Sequence, residues 1–573
     1  MINKKIFFIF ILILAAVLRL YGVNWDQGYH LHPDERAITI YTLPLAIPSN
    51  LSELLSPTSP LNPHFFAYGD FPLYLLKVIS IIAGSINLYF LQYTGINILG
   101  RFISVTFELF TIFVIYKLGK KLFNTNTALL SSFFYAISVL AIQSSHFYIV
   151  DIPLTFFNLL LLTILIKFYE KHDVKHALLI GFVFGLSLAT KTSASVLILS
   201  IGSALLIDFI LIFIKNPHRI KIWFPHFSKT IKNLTVYGLI ICTVTILSFI
   251  LFEPYALIDK QNFILQTFAQ YQMTHNAFVF PYTLQYVNKT PYIYEIKNIF
   301  LWGQGPILAS LSFIGAFYFT YIAIKKNKEK KWAQELILAF FFWTYFALVG
   351  KFAIGFMRYM LPIYPILCLF SGLLLNKILR YIKFKFGYFY ILLLILIILC
   401  ILIWPVSFLN IYNFPNTRVL ASNWINKNIP AGSTIAIEHW DDSLPLYGQQ
   451  NYNMITLELY NPDTPFKWNQ INQQLLQADY IIIASNRLYV PLQKLTDCKN
   501  LPPNYCYLQT AKYYKNLFDG KLGFSKVAEF YVYPKIPILN ISIDDQSADE
   551  SFTVYDHPKV MIFKKIKFKN INL

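Results

Sequence analysis

The chain has 573 residues, of which 56% are hydrophobic and only 13% charged. Soluble domains carry about 25% charged side chains, so this surplus of apolar residues excludes a soluble protein and makes lipid the solvent for most of the chain. The formal net charge of +19 would suit nucleic acid, but among runs of Leu, Ile and Phe an excess of Lys and Arg reports membrane orientation instead, and no nucleic-acid partner is expected.

The first segment begins with Lys4 and Lys5 and is apolar over 6–18. No small-x-small cleavage signal follows, and Arg19, Leu20 and Tyr21 continue the segment, so it is predicted to be a retained span. A span needs about 20 mostly apolar residues. About eleven segments qualify, near 6–23, 97–116, 126–146, 152–168, 176–190, 193–214, 234–252, 302–324, 333–350, 359–376 and 386–405. A further apolar stretch, 71–93, follows Asp70 and is interrupted by Lys77 and Gly84-Ser85.

Charge decides where that stretch goes. If it lies along the interface and the N-terminus is cytoplasmic, the basic loops 117–121, 167–175, 215–232, 325–331 and 377–385 are all cytoplasmic, and the opposite loops are poor in Lys and Arg. A single crossing by 71–93 would invert every later loop. The stretch is therefore predicted to be interfacial or re-entrant. Residues 24–96 then form a large first extracytoplasmic loop, and Asp151, Lys191, Glu253 and Arg358 fall at the extracytoplasmic ends of spans. The predicted architecture is mainly α: a polytopic transmembrane helical bundle over 1–408, followed by an extracytoplasmic soluble α/β domain over 409–573. The predicted location is the plasma membrane.

Within the tail, Asn423-Trp424-Ile425-Asn426 and 471–477 read as helices, and 434–438, 480–484, 527–533 and 560–563 as strands. Cys498 and Cys506 are either a small disulfide, if the tail faces an oxidising compartment, or two free thiols.

Chemistry-bearing residues cluster at one predicted membrane face. The first loop opens with His32-Pro33-Asp34-Glu35-Arg36. A carboxylate here can deprotonate a hydroxyl nucleophile; equally, Pro and acids in a first turn make an ordinary helix N-terminus. Neighbours on a helix point about 100° apart, so Asp34 and Glu35 should have different partners. Asp151, before Ile152-Pro153, is either a helix cap or a second acid facing Asp34. Lys191 and Arg358 are either snorkelling cations or phosphate ligands, Arg in a bidentate way. Glu108 lies mid-span on a helical face similar to that of Arg101 and reads as a structural bond to a neighbouring helix. No metal-ligand cluster of diagnostic spacing, phosphate-binding glycine loop or nucleophile elbow is present, so neither a metal nor another cofactor is expected.

Taken together and in order, these features resemble the phospholipid-carrier-dependent glycosyltransferases of the GT-C fold, the group of protein O-mannosyltransferases and lipid A aminoarabinose transferases. The resemblance rests on Asp34-Glu35, Phe71-Pro72-Leu73, Gly100-Arg101, Asp151-Ile152-Pro153-Leu154, Thr190-Lys191, and Arg358-Tyr359 with Pro362 and Pro365. Trp440-Asp441-Asp442, Gly520-Lys521-Leu522-Gly523-Phe524 and Tyr555-Asp556-His557-Pro558-Lys559-Val560 resemble the C-terminal region of a bacterial and archaeal subgroup, with no role assigned. The resemblance implies transfer of a sugar from a polyprenyl-phosphate donor to an acceptor hydroxyl, with inversion. The acceptor is a protein, lipid or polysaccharide. By this resemblance Asp34 is the general base, Glu35 is the second acid of its pair, and Asp151, at the family's second acidic position, orients the acceptor or the base; Lys191 and Arg358, by their place on the same face, are the candidates for the donor phosphate. His32, Arg36 and Tyr359, which flank these positions, join the substrate-binding candidates. The family usually has a basic residue before Pro72, where this chain has Asp70-Phe71.

Three other readings compete. A transporter or flippase of lipid-linked sugars should carry broken polar helices near mid-membrane, often in two related halves. A metal-dependent oligosaccharyltransferase-like enzyme would need further acidic ligands, for which Glu35 and Glu253 are the candidates. In a surface-binding protein the tail alone would bind glycan and Asp34 would be dispensable.

Overall fold

The computed structural model describes residues 3–215, 220–325, 332–537 and 539–566, with the backbone alone for 208–215, 220–230 and 233. Parts of the basic loops 215–232 and 325–331 lie outside the described residues. The chain is helical up to Leu409 and then turns to a mixed sheet covered by helices.

Among the described residues, seven helices are long and apolar enough to cross a bilayer. An eighth span is the pair Thr125–Ala136 and Val139–Ser145, bent by 56°. The break falls at Ile137-Ser138, where the Ser138 hydroxyl donates to the Phe134 carbonyl at 2.9 Å and competes with the helical ladder. This count is lower than the eleven expected. Lys4–Leu20 has 17 residues and three cations, Val174–Leu188 has 15 residues, and the apolar helix Leu197–Lys215 has 19 residues, with side chains described only as far as Ile207. The helix Asp70–Gly84 has 15 residues, about 22 Å at 1.5 Å per residue, too short for a hydrocarbon core of about 30 Å. It buries Leu73, Leu76, Ser80 and Gly84 and leaves Val78, Ile81 and Ile82 exposed.

Apolar residues divide by position. Asp151–Lys171 is mostly buried, as is Met357–Phe386 as far as Asn376, at the centre of the bundle, while the last turns of the second helix are exposed at Tyr381, Phe384 and Phe386. Phe389–Leu409 exposes Leu392, Ile395, Leu396 and Leu399. A contiguous apolar face of this kind is what lipid covers.

Two buried arginines brace the bundle. Arg19 pairs with Glu108 at 2.9 Å, and the Tyr135 hydroxyl donates to the same carboxylate at 2.9 Å. The helical-face similarity of Glu108 and Arg101 does not make a pair, because Arg101 turns instead to Asp26 and Glu35.

The C-terminal sheet has the spatial order Asn453–Leu457, Thr434–Glu438, Tyr480–Ile483, Val560–Lys565, Phe524–Phe530. The first three strands run parallel and the last two pair antiparallel. Alternation sets its two faces. Ile435, Ile437, Tyr480, Ile482, Val560 and Ile562 pack under the helix Thr417–Asn428. Ile481, Ile483, Met561 and Phe563 pack on the other side with Pro465–Gln477 and Leu508–Phe518. The predicted strand 527–533 begins three residues earlier, at Phe524. Asn453–Leu457, which the sequence reading passed over, is an edge strand with one fully buried side chain, Leu457. Cys498 and Cys506 are bonded to each other.

A strap over 544–557 joins this region to the bundle. Phe552, Val554 and Tyr555 enter the core of the helices. The Tyr286 and Tyr294 hydroxyls donate to Asp549 at 2.9 and 2.7 Å. Asp556 accepts from Gln143 at 3.0 Å and Tyr412 at 2.9 Å. His557 bridges Asp556 at 2.5 Å and Asp545 at 2.8 Å. Burial pulls its imidazole down, but Asp556 and Asp545 override this and lift it to about 10, so it is a buried cation at neutral pH. The motif Tyr555-Asp556-His557 is thus the plug that seats the C-terminal region.

Candidate active site

The short helix Pro33–Thr42 carries the first acids. Its start is coded locally: Pro33 sits in the first turn, and His32 is the cap, its Nδ1 accepting the Asp34 N–H at 3.2 Å. Burial drives the His32 imidazole down to about 3, which keeps it neutral and able to accept. His32 packs between Phe147 and Tyr555, at 4.5 and 4.0 Å between ring centres, and does not line the cavity described below.

Asp34 and Glu35 diverge from this turn. Glu35 is fully buried and held by Arg101, whose Nε and Nη2 donate to its two oxygens at 2.9 and 2.7 Å. Tyr148 N–H donates to it as well, at 3.2 Å. Glu35 therefore anchors the helix from behind.

Asp34 faces forward. The Arg358 Nη2 lies 2.7 Å from its Oδ2. The Arg358 Nε lies 3.6 Å from Asp151 Oδ2, and the Lys191 Nζ donates to Asp151 Oδ1 at 2.7 Å. Four charges from four separate segments thus form one alternating chain. Lys191 also sits over the Tyr359 ring at 4.5 Å, and Arg358 over Phe356 at 4.5 Å. The Arg358 Nη1 is buried with no hydrogen-bond partner among the described residues, an orphan donor of a kind that native interiors seldom keep. Burial pushes the Asp34 carboxyl up, but Arg358, then His32, Tyr68 and Lys191, outweigh it and hold it below its ordinary value.

The charged chain lies where two cavities meet. One, of about 380 Å³, is lined by Asp34, Arg36, Tyr68, Lys191, Arg358 and Tyr359 from the helical region. Trp440, Asp441, Asp442, Arg487, Glu550 and Tyr555 roof it from the C-terminal region. The other, of about 390 Å³, shares Lys191, Gln270, Met273 and Tyr359 with it and continues past Asp151 to apolar Val196, Leu348, Val349 and Phe352. The roof is tied down by Arg36 to Asp442 at 2.9 Å, Arg418 to Asp441 at 2.8 Å and Arg487 to Glu550 at 2.7 Å.

Of the residues singled out in the sequence, Asp34, Arg36, Asp151, Lys191, Arg358 and Tyr359 meet at this junction, and Glu35 and His32 stand behind it. Glu253 lies apart, close to Asp70; burial, and after it the Asp70 carboxylate, push the Glu253 carboxyl well up. Among the described residues no three His, Cys, Asp or Glu side chains come together as a metal site. The sequence reading missed Tyr68, Tyr282, Arg487 and Glu550. It noted Trp440 and Tyr555 without a role; their signal was motif order alone.

Comparison with known proteins bears on the fold. A family model described as Dolichyl-phosphate-mannose-protein mannosyltransferase matches residues 95–231. No curated protein matches the chain. The crystal structure of the Archaeoglobus fulgidus oligosaccharyltransferase in its apo form is similar with a TM-score of 0.51 at 13% identity, covering 98% of this chain and 89% of that one. The same archaeal enzyme, AglB, in complex with an inhibitory peptide and a dolichol-phosphate, gives 0.50 at 13% identity, covering 98% and 88%. ArnT from Cupriavidus metallidurans bound to undecaprenyl phosphate gives 0.48 at 11% identity, covering 85% and 94%. At such identities likeness speaks to fold, and the fold of this chain is that of the GT-C membrane glycosyltransferases.

Proposed function

We propose that the chain transfers a sugar from a polyprenyl-phosphate donor to an acceptor hydroxyl, with inversion, at the extracytoplasmic face of the plasma membrane. The observation that carries this reading is the chain Asp34–Arg358–Asp151–Lys191 at the junction of a polar and an apolar cavity, with a buried guanidinium donor left unpaired. The polar cavity suits an acceptor, and the apolar one suits an isoprenoid tail. The archaeal oligosaccharyltransferase of like fold was solved with a dolichol-phosphate, a lipid of this class.

The steps follow from the charges. In the resting site Arg358 masks Asp34. A donor phosphate binds Lys191 and the free Arg358 Nη1, drawing the guanidinium toward itself. Asp34 then loses its strongest counter-charge, and burial makes it a better base. It takes the proton of an acceptor hydroxyl as that oxygen bonds to the anomeric carbon and the bond to the phosphate oxygen breaks. The leaving polyprenyl phosphate keeps the electron pair, and its charge is held by Lys191 and Arg358. Asp151 spaces the two cations. Arg36 fixes the roof through Asp442. The protein is integral to the membrane with its N-terminus in the cytoplasm, which puts the cavities and the C-terminal region outside; the basic loops 117–121, 167–175 and 377–385 support that orientation.

The test is transfer in membranes supplied with a polyprenyl-phosphate sugar. Asp34→Asn should abolish it while folded protein persists; full activity would sink the mechanism. An introduced cysteine near residue 120 should resist an impermeant thiol reagent added from outside the cell.

A further inference from the structure

A third cavity lies elsewhere. A groove of about 450 Å³ opens on the C-terminal region between the helices Pro465–Gln477 and Leu508–Phe518. Its walls include Trp468, Tyr513, Asn472, Asn516, Gln509 and Lys512. None of these residues belongs to the junction described above.

The groove is built rigidly. Asp463, nearly buried, accepts five hydrogen bonds that tie the two helices together. Its Oδ2 caps the second helix through the Gln509 and Thr510 N–H groups at 2.7 and 3.0 Å. Its Oδ1 accepts from Thr510 Oγ1 at 2.6 Å, Lys467 Nζ at 2.9 Å and Trp468 Nε1 at 3.0 Å. Lys467 neutralises the carboxylate from beneath, so the groove is not acidic.

That arrangement fixes what the groove can recognise. With its N–H already bound to Asp463, the half-buried Trp468 indole has only its ring face and carbon edge left to offer. Around it, the side-chain amides of Asn472, Gln509 and Asn516 and the Lys512 ammonium make no hydrogen bond to any described residue. The Tyr513 ring stands 6.0 Å from that of Trp468, and the Tyr513 hydroxyl is buried without a partner among the described residues. An aromatic face ringed by unused amide donors and acceptors matches a ligand with an apolar C–H face and a rim of hydroxyls, which is the surface of a pyranose.

We infer that this groove is a second, non-catalytic binding site for an oligosaccharide, with Trp468 as its stacking platform and Asn472, Gln509, Asn516 and Lys512 as its hydroxyl contacts. It holds a glycan chain at a distance from the reacting groups and stands independently of the proposed transfer reaction.

The test is calorimetric titration of the full-length protein in lipid nanodiscs with manno-tetraose and chito-tetraose. At least one should bind. Trp468→Ala should weaken binding about tenfold. Trp468→Ala also removes a bond to Asp463, so a second variant guards against misfolding: Asn472→Trp, at an exposed position, should fill the groove and abolish binding with the melting temperature unchanged. Asp34→Asn should bind as the wild type does. The inference is overturned if neither sugar binds, if binding survives both groove variants, if Asp34→Asn removes it, or if the groove takes only peptides.

Discussion

Arg101 and Arg358 flank the same short helix and end in opposite conditions. Arg101 uses all five of its N–H donors: two to Glu35, two to Asp26, and one to the Val23 carbonyl at 2.7 Å. Arg358 reaches Asp34 and, at longer range, Asp151, and leaves Nη1 unpaired. Arg101 is fully buried and Arg358 is 12% exposed; both bridge two carboxylates, and both hold one acid of the adjacent pair Asp34-Glu35. The saturated cluster has no capacity left for a ligand. The unsaturated one lines a cavity and can exchange a partner for a phosphate. Completeness of hydrogen bonding, more than charge or burial, separates the structural half of this acid pair from the functional half.

The largest expected effect breaks the unsaturated side. Asp34→Asn should lower kcat about 10²–10⁴-fold, the range for a lost general base, with the thermal melt in detergent unchanged. Glu35→Gln should do the reverse, lowering the melt before the chemistry. Next comes the saturated side: Arg101→Met strands Glu35 and Asp26 as buried unpaired charges, a loss of about 3–5 kcal/mol. It should appear as a collapse of folded protein, with kcat of the surviving fraction intact. If Arg101→Met stayed folded and lost kcat, the distinction between the two clusters would be wrong. Third, Arg358→Lys keeps a charge but not the planar fork that can serve Asp34 and a phosphate together. It should lower kcat/KM about 10–100-fold, or about 1.4–2.8 kcal/mol, measured against a range of donor concentrations.

Much of this comparison was legible in the sequence, and particular residues show why the rest was not. The 100° offset between helical neighbours predicted separate partners for Asp34 and Glu35, because that geometry is local. The one-sided distribution of Lys191, Arg358 and Asp151 followed from loop charge. The identity of the partners did not follow. Arg101 and Glu108 share a helical face, yet each bonds a residue from an earlier segment, Glu35 and Arg19, since packing between helices is set by tertiary contacts that no period encodes. Tyr68 and Tyr282 were invisible among 39 tyrosines. Eight of the eleven predicted spans stand as long apolar helices among the described residues, whereas Lys4–Leu20 and Val174–Leu188 have 17 and 15 residues, and an apolar run in the sequence does not show where its helix ends. Asn453–Leu457 escaped because an edge strand has few neighbours to bury it.

The smallest effect is the sharpest probe of the unsaturated cluster. The Tyr68 hydroxyl stands against Asp34 and helps to hold its carboxyl down, after Arg358 and His32. Tyr68→Phe removes that contribution, worth about 0.5–1.5 kcal/mol for a hydrogen-bonding group, so kcat should fall only a few-fold. The sign of the pH effect is fixed. A carboxyl held below its unfolded value of about 3.9 adds stability above that pH and loses it as pH falls through the folded value. With Tyr68 gone the folded value rises toward the ordinary one, so less stability is lost on acidification. The acid limb of kcat/KM, which follows deprotonated Asp34 in the free enzyme, should move to higher pH. An unmoved limb would reduce Tyr68 to packing. A limb that moved in Tyr68→Phe, and stayed in place in Glu35→Gln, would tie the titration to the forward-facing acid alone.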